Sequence, residues 1–304
     1  MLDLSEFHYQ LSNTFKKPIT KDQWEEYRLT DEQIRFFNKY GYLSNIKLLD
    51  DEQIAVLNND LHEITNADHP GNPLFHEFHS NESSNPDTVL FHALGAWRIT
   101  RGFHDLLWNP AFLMAASQLL GNKAVRFWHD QLFCKPAHHG GVVAWHQDYS
   151  YWTRTVPMQH LTCWIALDDA TTDNGCLQYI PKSHNWGLLD KPELAGEMDS
   201  ITDYLTGKQK KEFNPVAVEI KKGYGTFHHP LLLHGSGENR SNNSRRACVI
   251  NVFADGTRSA SNEPLLKGAD PIPERQKMQG RFFPNLFTPI ENNFKQDITQ
   301  AYEL

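Results

Sequence analysis

Two stretches hold residue types able to bind a redox metal: Trp145-His146-Gln147-Asp148-Tyr149-Ser150-Tyr151-Trp152 and Phe227-His228-His229-Pro230-Leu231-Leu232-Leu233-His234-Gly235-Ser236-Gly237. In an extended strand residues i and i+2 share a face, so His146 and Asp148 are expected to project together from one strand, Val142–Tyr149. One imidazole, one carboxylate and a second imidazole from elsewhere form a two-histidine, one-carboxylate facial set. Such a set leaves positions on Fe(II) open for a cosubstrate and O2. His234 is the candidate distant ligand, since it follows an apolar run and precedes Gly-Ser-Gly, which suits a tight turn beside a ligand. His-x-Asp alone is common by chance. The flanking Trp145, Tyr149, Tyr151 and Trp152 are odd company for a strand face turned to water.

An oxygenase that uses 2-oxoglutarate chelates its metal through the keto-acid end, so the distal carboxylate needs a fixed cation. Arg245 lies eleven residues beyond His234, and its guanidinium fork fits a carboxylate bidentately. The alternative is a surface charge in Ser244-Arg245-Arg246. Ser236, two residues past the proposed ligand, can add a hydroxyl to the same carboxylate.

Together, His146-x-Asp148, His234-Gly-Ser236-Gly, Asn239 and Arg245 resemble the phytanoyl-CoA dioxygenase family of Fe(II)/2-oxoglutarate oxygenases. The resemblance extends over Cys163-Trp164-Ile165-Ala166-Leu167-Asp168-Asp169 and over Asp173–His184, and covers about residues 30–290. It implies a double-stranded β-helix, the cupin-like jelly roll, with iron held by His146, Asp148 and His234. Arg245 would bind the distal carboxylate of 2-oxoglutarate, with Ser236, Trp164 and Gln131 beside it. It favours His234 over His228 and His229 as the ligand. It also implies consumption of O2 and 2-oxoglutarate, release of succinate and CO2, hydroxylation of a substrate C–H, and support by ascorbate. Two departures stand out. The family's Pro-Gly-Ser-His is Pro181-Lys182-Ser183-His184 here, which touches a turn; and Asp148 is present where related halogenases carry a small residue.

The elements that must position these residues are readable in part. Thr30-Asp31-Glu32-Gln33 fits a capping box, and a helix follows to Gly41; a second starts near Asp50-Asp51 with Ile54, Leu57, Leu61 and Ile64 on one face. A third opens at Asn109-Pro110 and ends at Gly121, and residues 66–90 read as loop. Beyond Gly121 come short β-rich runs: Val125–Cys134, Val142–Tyr149, His160–Leu167, Cys176–Ile180, Val216–Ile220 and Ala247–Ala254. Turn chemistry separates them, and many short strands predict a sandwich or jelly roll. The fold class is therefore mainly β with flanking helices, in one domain. Residues 1–124 form an N-terminal extension and helices, 125–255 the core with a lid-like insertion at 185–214, and 256–304 a C-terminal extension.

The formal charge of −8, from 29 basic and 37 acidic residues, argues against nucleic acid or an anionic membrane as partner. The run of about 18 apolar residues needed for a membrane span is missing, and no basic-then-apolar leader opens the sequence, so a cytoplasmic protein is expected. Cys134, Cys163, Cys176 and Cys248 have apolar neighbours and no Cys-x-x-Cys spacing, as buried thiols would. Tyr149, Tyr151, Trp152 and Trp128 are the candidates to face a small apolar or ring-containing substrate, or else they pack as core. His138 and His139 read as loop residues near an entrance, and His184 as a turn residue. Two other classes compete: a cupin-type metal enzyme that is not an oxygenase, and an inactive jelly-roll binding protein. The first usually carries His-x-His with a nearby Glu, absent here; the second should have lost part of the set.

Overall fold

A computed structural model describes residues 1–66, 68–83, 87–191 and 197–289. Its strands in chain order are β1 (Tyr42–Lys47), β2 (Glu77–His79), β3 (Phe91–Leu94), β4 (Val125–Lys135), β5 (Val143–His146), β6 (Thr155–Val156) and β7 (His160–Ala166). There follow β8 (Leu177–Tyr179), β9 (Val216–Val218), β10 (Tyr224–His228), β11 (His234–Ser236), β12 (Arg245–Ala254), β13 (Arg258–Ser259) and β14 (Asn285–Phe287). The larger sheet runs β1-β10-β7-β12-β4-β3-β2, with β14 also on β4; the smaller runs β5-β11-β8-β9. Side chains from both sheets line one inner cavity, so the sheets face each other as the two layers of a jelly roll.

Strand periodicity decides what each face does. On β12, Cys248, Ile250 and Val252 pack with the helices, whereas Ala247 and Val249 turn inward toward Trp164 and Tyr179. Arg245 shares the inward parity. On β7, Leu161, Cys163 and Ile165 face the helices, and Trp164 and Ala166 face the interior. The helix Asp51–Ile64 covers the outer face through Leu57, Leu61 and Ile64, all essentially without solvent exposure. Truncating one of these leucines to alanine should cost about 2–5 kcal/mol.

The capping box at Thr30 and the helix start at Asp50 are as the sequence predicts, Asp50 adding a capping box of its own, and Gly41 ends the first helix at φ 86°. The third helix is Pro110–Leu119, capped by Asn109. Some expectations need correction. The stretch 66–90 contains β2, and the strand expected over Val142–Tyr149 ends at His146. Asp148 has helical dihedrals, φ −56° and ψ −44°, and opens a short helix, Tyr149–Trp152. The cause is Gln147. Its buried amide donates to the carbonyls of Gly187 and Leu231 and accepts from the Leu189 N–H, while the Tyr149 N–H bonds Pro230 O. These bonds turn the chain out of the strand.

Within the expected insertion, a 3-10 turn at Ser200–Tyr204 places Ile201 against Trp145, Ile180 and Leu233. Trp145 points opposite to His146, so this packing covers the outside of the smaller sheet. Residues 192–196 of the insertion and 290–304 of the C-terminal extension lie outside the described residues. Leu265, Leu266, Met278 and Phe283 from that extension pack with Trp128, Trp152 and Phe253. All four cysteines are free thiols, Cys134 half-buried and the others buried. No helix among the described residues is long and apolar enough to cross a membrane.

Candidate metal and cosubstrate centre

His146 and His234 are direct partners across the antiparallel β5–β11 pair. Their ring centroids stand 4.2 Å apart, and Asp148 reaches the same point from the turn after β5. Asp148 Oδ1 lies 3.5 Å from His146 Nε2 and 3.6 Å from His234 Nε2. All three donor atoms fall within 4.8 Å of one another, and they form the sole such cluster of His, Cys, Asp and Glu among the described residues. The sequence brings Asp148 and His146 together as expected, though through a helical turn instead of a shared strand face.

The tautomers suit a metal. His146 Nδ1 meets Ala144 O at 2.8 Å and His234 Nδ1 meets Leu232 O at 2.9 Å. Carbonyls accept only, so each Nδ1 holds the proton and each Nε2 presents a lone pair to the shared point. Burial, then the neighbouring imidazoles of His146 and His228, hold His234 neutral, well below the ordinary histidine pKa. Burial pushes the Asp148 carboxyl up, but His234, His146 and His228 more than reverse this and keep it well below the usual carboxylate range. Two nitrogens and one anionic oxygen on one side of a point are a donor set that fits Fe(II) with positions to spare.

Asp148 is held by its other oxygen. Oδ2 accepts from Thr162 Oγ1 at 2.5 Å and from His228 Nε2 at 3.0 Å. His228 Nδ1 in turn accepts from the Tyr179 hydroxyl at 3.0 Å. Sequence reasoning treated His228 only as a rival ligand. It shares the parity of Thr226 on β10, a strand whose texture the sequence does not announce.

Behind the metal point lies the anion end. Arg245 is buried, its guanidinium carbon 5.3 Å from the Trp164 ring, with no carboxylate within ion-pair distance among the described residues, and its Nε has no partner. Burial pulls the group down to about 10, which leaves it charged at neutral pH. Directly across from it on β4 stands Lys135, also fully buried, whose Nζ donates to Ser236 Oγ at 2.7 Å and to Gly237 O at 2.5 Å. Burial first, then Arg245, lowers the Lys135 pKa well below its usual value. A lysine at a strand end reads as solvent-facing in sequence, and only the β4–β12 register reveals this one. An unpartnered buried guanidinium calls for an anion. The distal carboxylate of 2-oxoglutarate fits that requirement.

Gln131, Trp164, Ser236 and Arg245 line the inner cavity with His146, Asp148 and His234. An outer cavity of about 380 Å3 shares Gln131, His146 and Asp148 and adds Trp128, Tyr151 and Trp152. Tyr149 lines neither; its hydroxyl donates to Thr155 O at 2.7 Å. His138, His139, His184 and His229 line neither cavity, and His184 packs against His229 with ring centroids 5.2 Å apart. Asn239 braces the turn before β12 by donating to Lys135 O and Asn243 O.

A jelly roll with this metal point and anion pocket is the architecture of iron- and 2-oxoglutarate-dependent oxygenases, and the chain is an enzyme of that class. It belongs to the phytanoyl-CoA dioxygenase (PhyH) family, whose model matches residues 37–247. It is 28% identical over 204 residues to L-proline trans-4-hydroxylase of Streptomyces griseoviridis, covering 59% of this chain and 75% of the relative. To phytanoyl-CoA dioxygenase of Arabidopsis thaliana it is 27% identical over 278 residues, covering 81% and 96%. Among solved structures, the alpha-ketoglutarate-dependent carbocyclase SnoK from nogalamycin biosynthesis superposes with TM-score 0.69 at 20% identity, covering 84% of this chain and 96% of that one. EctD from S. alaskensis superposes with TM-score 0.64 at 19% identity, covering 88% and 92%. These two likenesses show the fold.

Proposed function

We propose that this protein hydroxylates an unactivated C–H of a small molecule, with 2-oxoglutarate as cosubstrate and iron held by His146, Asp148 and His234. The observation that carries this reading is the buried Arg245, unpartnered and stacked on Trp164, in the same cavity as the three donors. When bound, iron and 2-oxoglutarate supply the oxidising chemistry: one oxygen atom of O2 ends in succinate and the other on substrate, with release of CO2. The chain's own part is to bind, orient and exclude water. Arg245, with Ser236 and Gln131 alongside, fixes the distal carboxylate; Trp164 closes the face of the guanidinium to water. His146 and His234 keep their protons at Nδ1 and act as ligands, not as bases. The cavity that adjoins His146 and Asp148 receives the substrate beside the metal point.

The test is succinate formation from 2-oxoglutarate with Fe(II), ascorbate and O2, and 2-oxoglutarate binding without oxygen. Arg245→Ala should weaken 2-oxoglutarate by about 10–100-fold, since it removes a charge-assisted pair. His146→Ala should abolish turnover. Wild-type protein that neither binds nor consumes 2-oxoglutarate in the presence of metal would overturn the reading. Relatives named for L-proline and for phytanoyl-CoA match this chain at nearly equal identity, so its substrate must be read from its own cavity.

A further inference from the structure

The outer cavity carries charges of both signs that the fold does not pair with each other. The chain around β2 and β3 contributes Glu77 and Glu82; the segments after β5 contribute Arg154 and Lys191. None of these acids is within ion-pair distance of either cation. Glu82 Oε2 stands 2.8 Å from His92 Nδ1, and Glu77 Oε2 stands 3.9 Å from His79 Nε2. Arg154 donates to the carbonyls of Pro264 and Leu265, at 2.9 and 3.3 Å. Lys191 Nζ lies 4.6 Å from the centroid of the Tyr151 ring, which itself meets the His146 ring edge-on. Among the described residues, neither cation has a carboxylate partner. Burial raises the Glu82 carboxyl, but the His92 ring beside it more than reverses this and brings it below its ordinary value, so it is an anion at neutral pH.

The same cavity is also lined by apolar side chains: Trp128, Trp152, Leu265 and Leu266. A hydrocarbon chain laid in this cavity would cover Glu82 and Arg154 and offer neither a partner of opposite charge, which is unfavourable. A polyphosphate such as a coenzyme A head group would satisfy Arg154 and Lys191 but crowd Glu77 and Glu82 with like charge. A ligand with both signs on a compact apolar frame satisfies all four, and about 380 Å3 is the size of a small-molecule site.

Resting on the oxygenase reading above, we propose that the substrate is a small zwitterion of the amino-acid kind, its carboxylate at Arg154 and Lys191 and its ammonium at Glu82 and Glu77. Its apolar body then lies along Trp128 and Trp152 with a C–H toward His146 and Asp148. The reaction balances as R–H, O2 and 2-oxoglutarate giving R–OH, succinate and CO2, with no further co-reactant.

The experiment uses the iron-loaded full chain and follows succinate with a panel of free linear and cyclic amino acids. The same compounds are run N-acetylated or as methyl esters, beside a fatty acid and an acyl-CoA thioester. Free zwitterions should raise succinate output at least tenfold over the substrate-free rate, and blocking either end should remove the effect. Arg154→Gln and Glu82→Gln should each raise KM about tenfold for the free compound and leave the affinity for 2-oxoglutarate unmoved. The panel is also titrated by calorimetry into metal-free protein, so that binding is read without turnover. Stimulation by the fatty acid or acyl-CoA, or no binding and no stimulation by any zwitterion while 2-oxoglutarate is still consumed, overturns the proposal and spares the oxygenase reading. Zwitterion binding that depends on Arg154, in a protein that never engages 2-oxoglutarate, does the reverse.

Discussion

His228 illustrates how one side chain fixes another. Its Nε2–H is directed at Asp148 Oδ2, and its Nδ1 is occupied by the Tyr179 hydroxyl, so the ring can neither flip nor change tautomer without breaking a buried bond. The carboxylate is thereby rotated so that Oδ1 faces the two histidines. His228→Ala should lower affinity for Mn(II) or Co(II) about 10–100-fold in an anaerobic titration of the metal-free protein. His228→Gln, which keeps a neutral donor, should recover part of that loss. Unchanged affinity in the alanine variant would remove the role. At this scale the sequence was a good guide to which residues converge: His146, Asp148 and His234 meet, and Arg245 lines the same cavity. It was a poor guide to Lys135 and His228, because their meaning depends on which strand lies opposite, and that is a non-local fact.

The β5–β11 pair is the element on which the centre depends. His146 and His234 meet only if the two backbones run close, and Gly235 permits this. A Cβ built there would stand 2.9 Å from Val143 O and 3.2 Å from Trp145 N. Both are backbone atoms of β5 and cannot swing aside. Gly235→Ala should therefore separate the strands, lowering stability by about 1–3 kcal/mol and metal affinity together. Chemical denaturation and metal titration on the same sample check this, and a stable variant with wild-type affinity would refute it. Helix starts were legible in sequence because a capping box is local: Thr30 with Gln33 and Asp50 with Gln53 announce themselves. β1 was not, because its register shifts between Leu43 and Ile46 and Asn45 takes φ 60°, which spoils the alternation. β10 was hidden differently. It begins Tyr-Gly-Thr, poor strand texture, and is a strand because β1 and β7 flank it.

Across the whole molecule, burial has accumulated neutral histidines. His76 is depressed to about 4, and His129 and His160 to about 3, in each case chiefly because burial disfavours the imidazolium. Between the usual histidine value of 6.5 and these figures the unfolded chain takes up protons that the folded chain refuses. Stability should thus be fully present above pH 6.5 and decline as pH falls through that window, by roughly 1.4 kcal/mol per unit for each group. Thermal midpoints measured from pH 7 to 4 should drop steadily, and a flat profile would contradict this account. The two cavities also divide by origin. Strands of the jelly roll build the inner one, whereas the outer one borrows from the β2–β3 edge, the turn after β5, Lys191 and Leu265–Leu266. The proposed anchor and the proposed selector thus draw largely on different parts of the chain. Exchanging the peripheral segments should therefore change which small molecule is accepted and leave metal and 2-oxoglutarate binding in place.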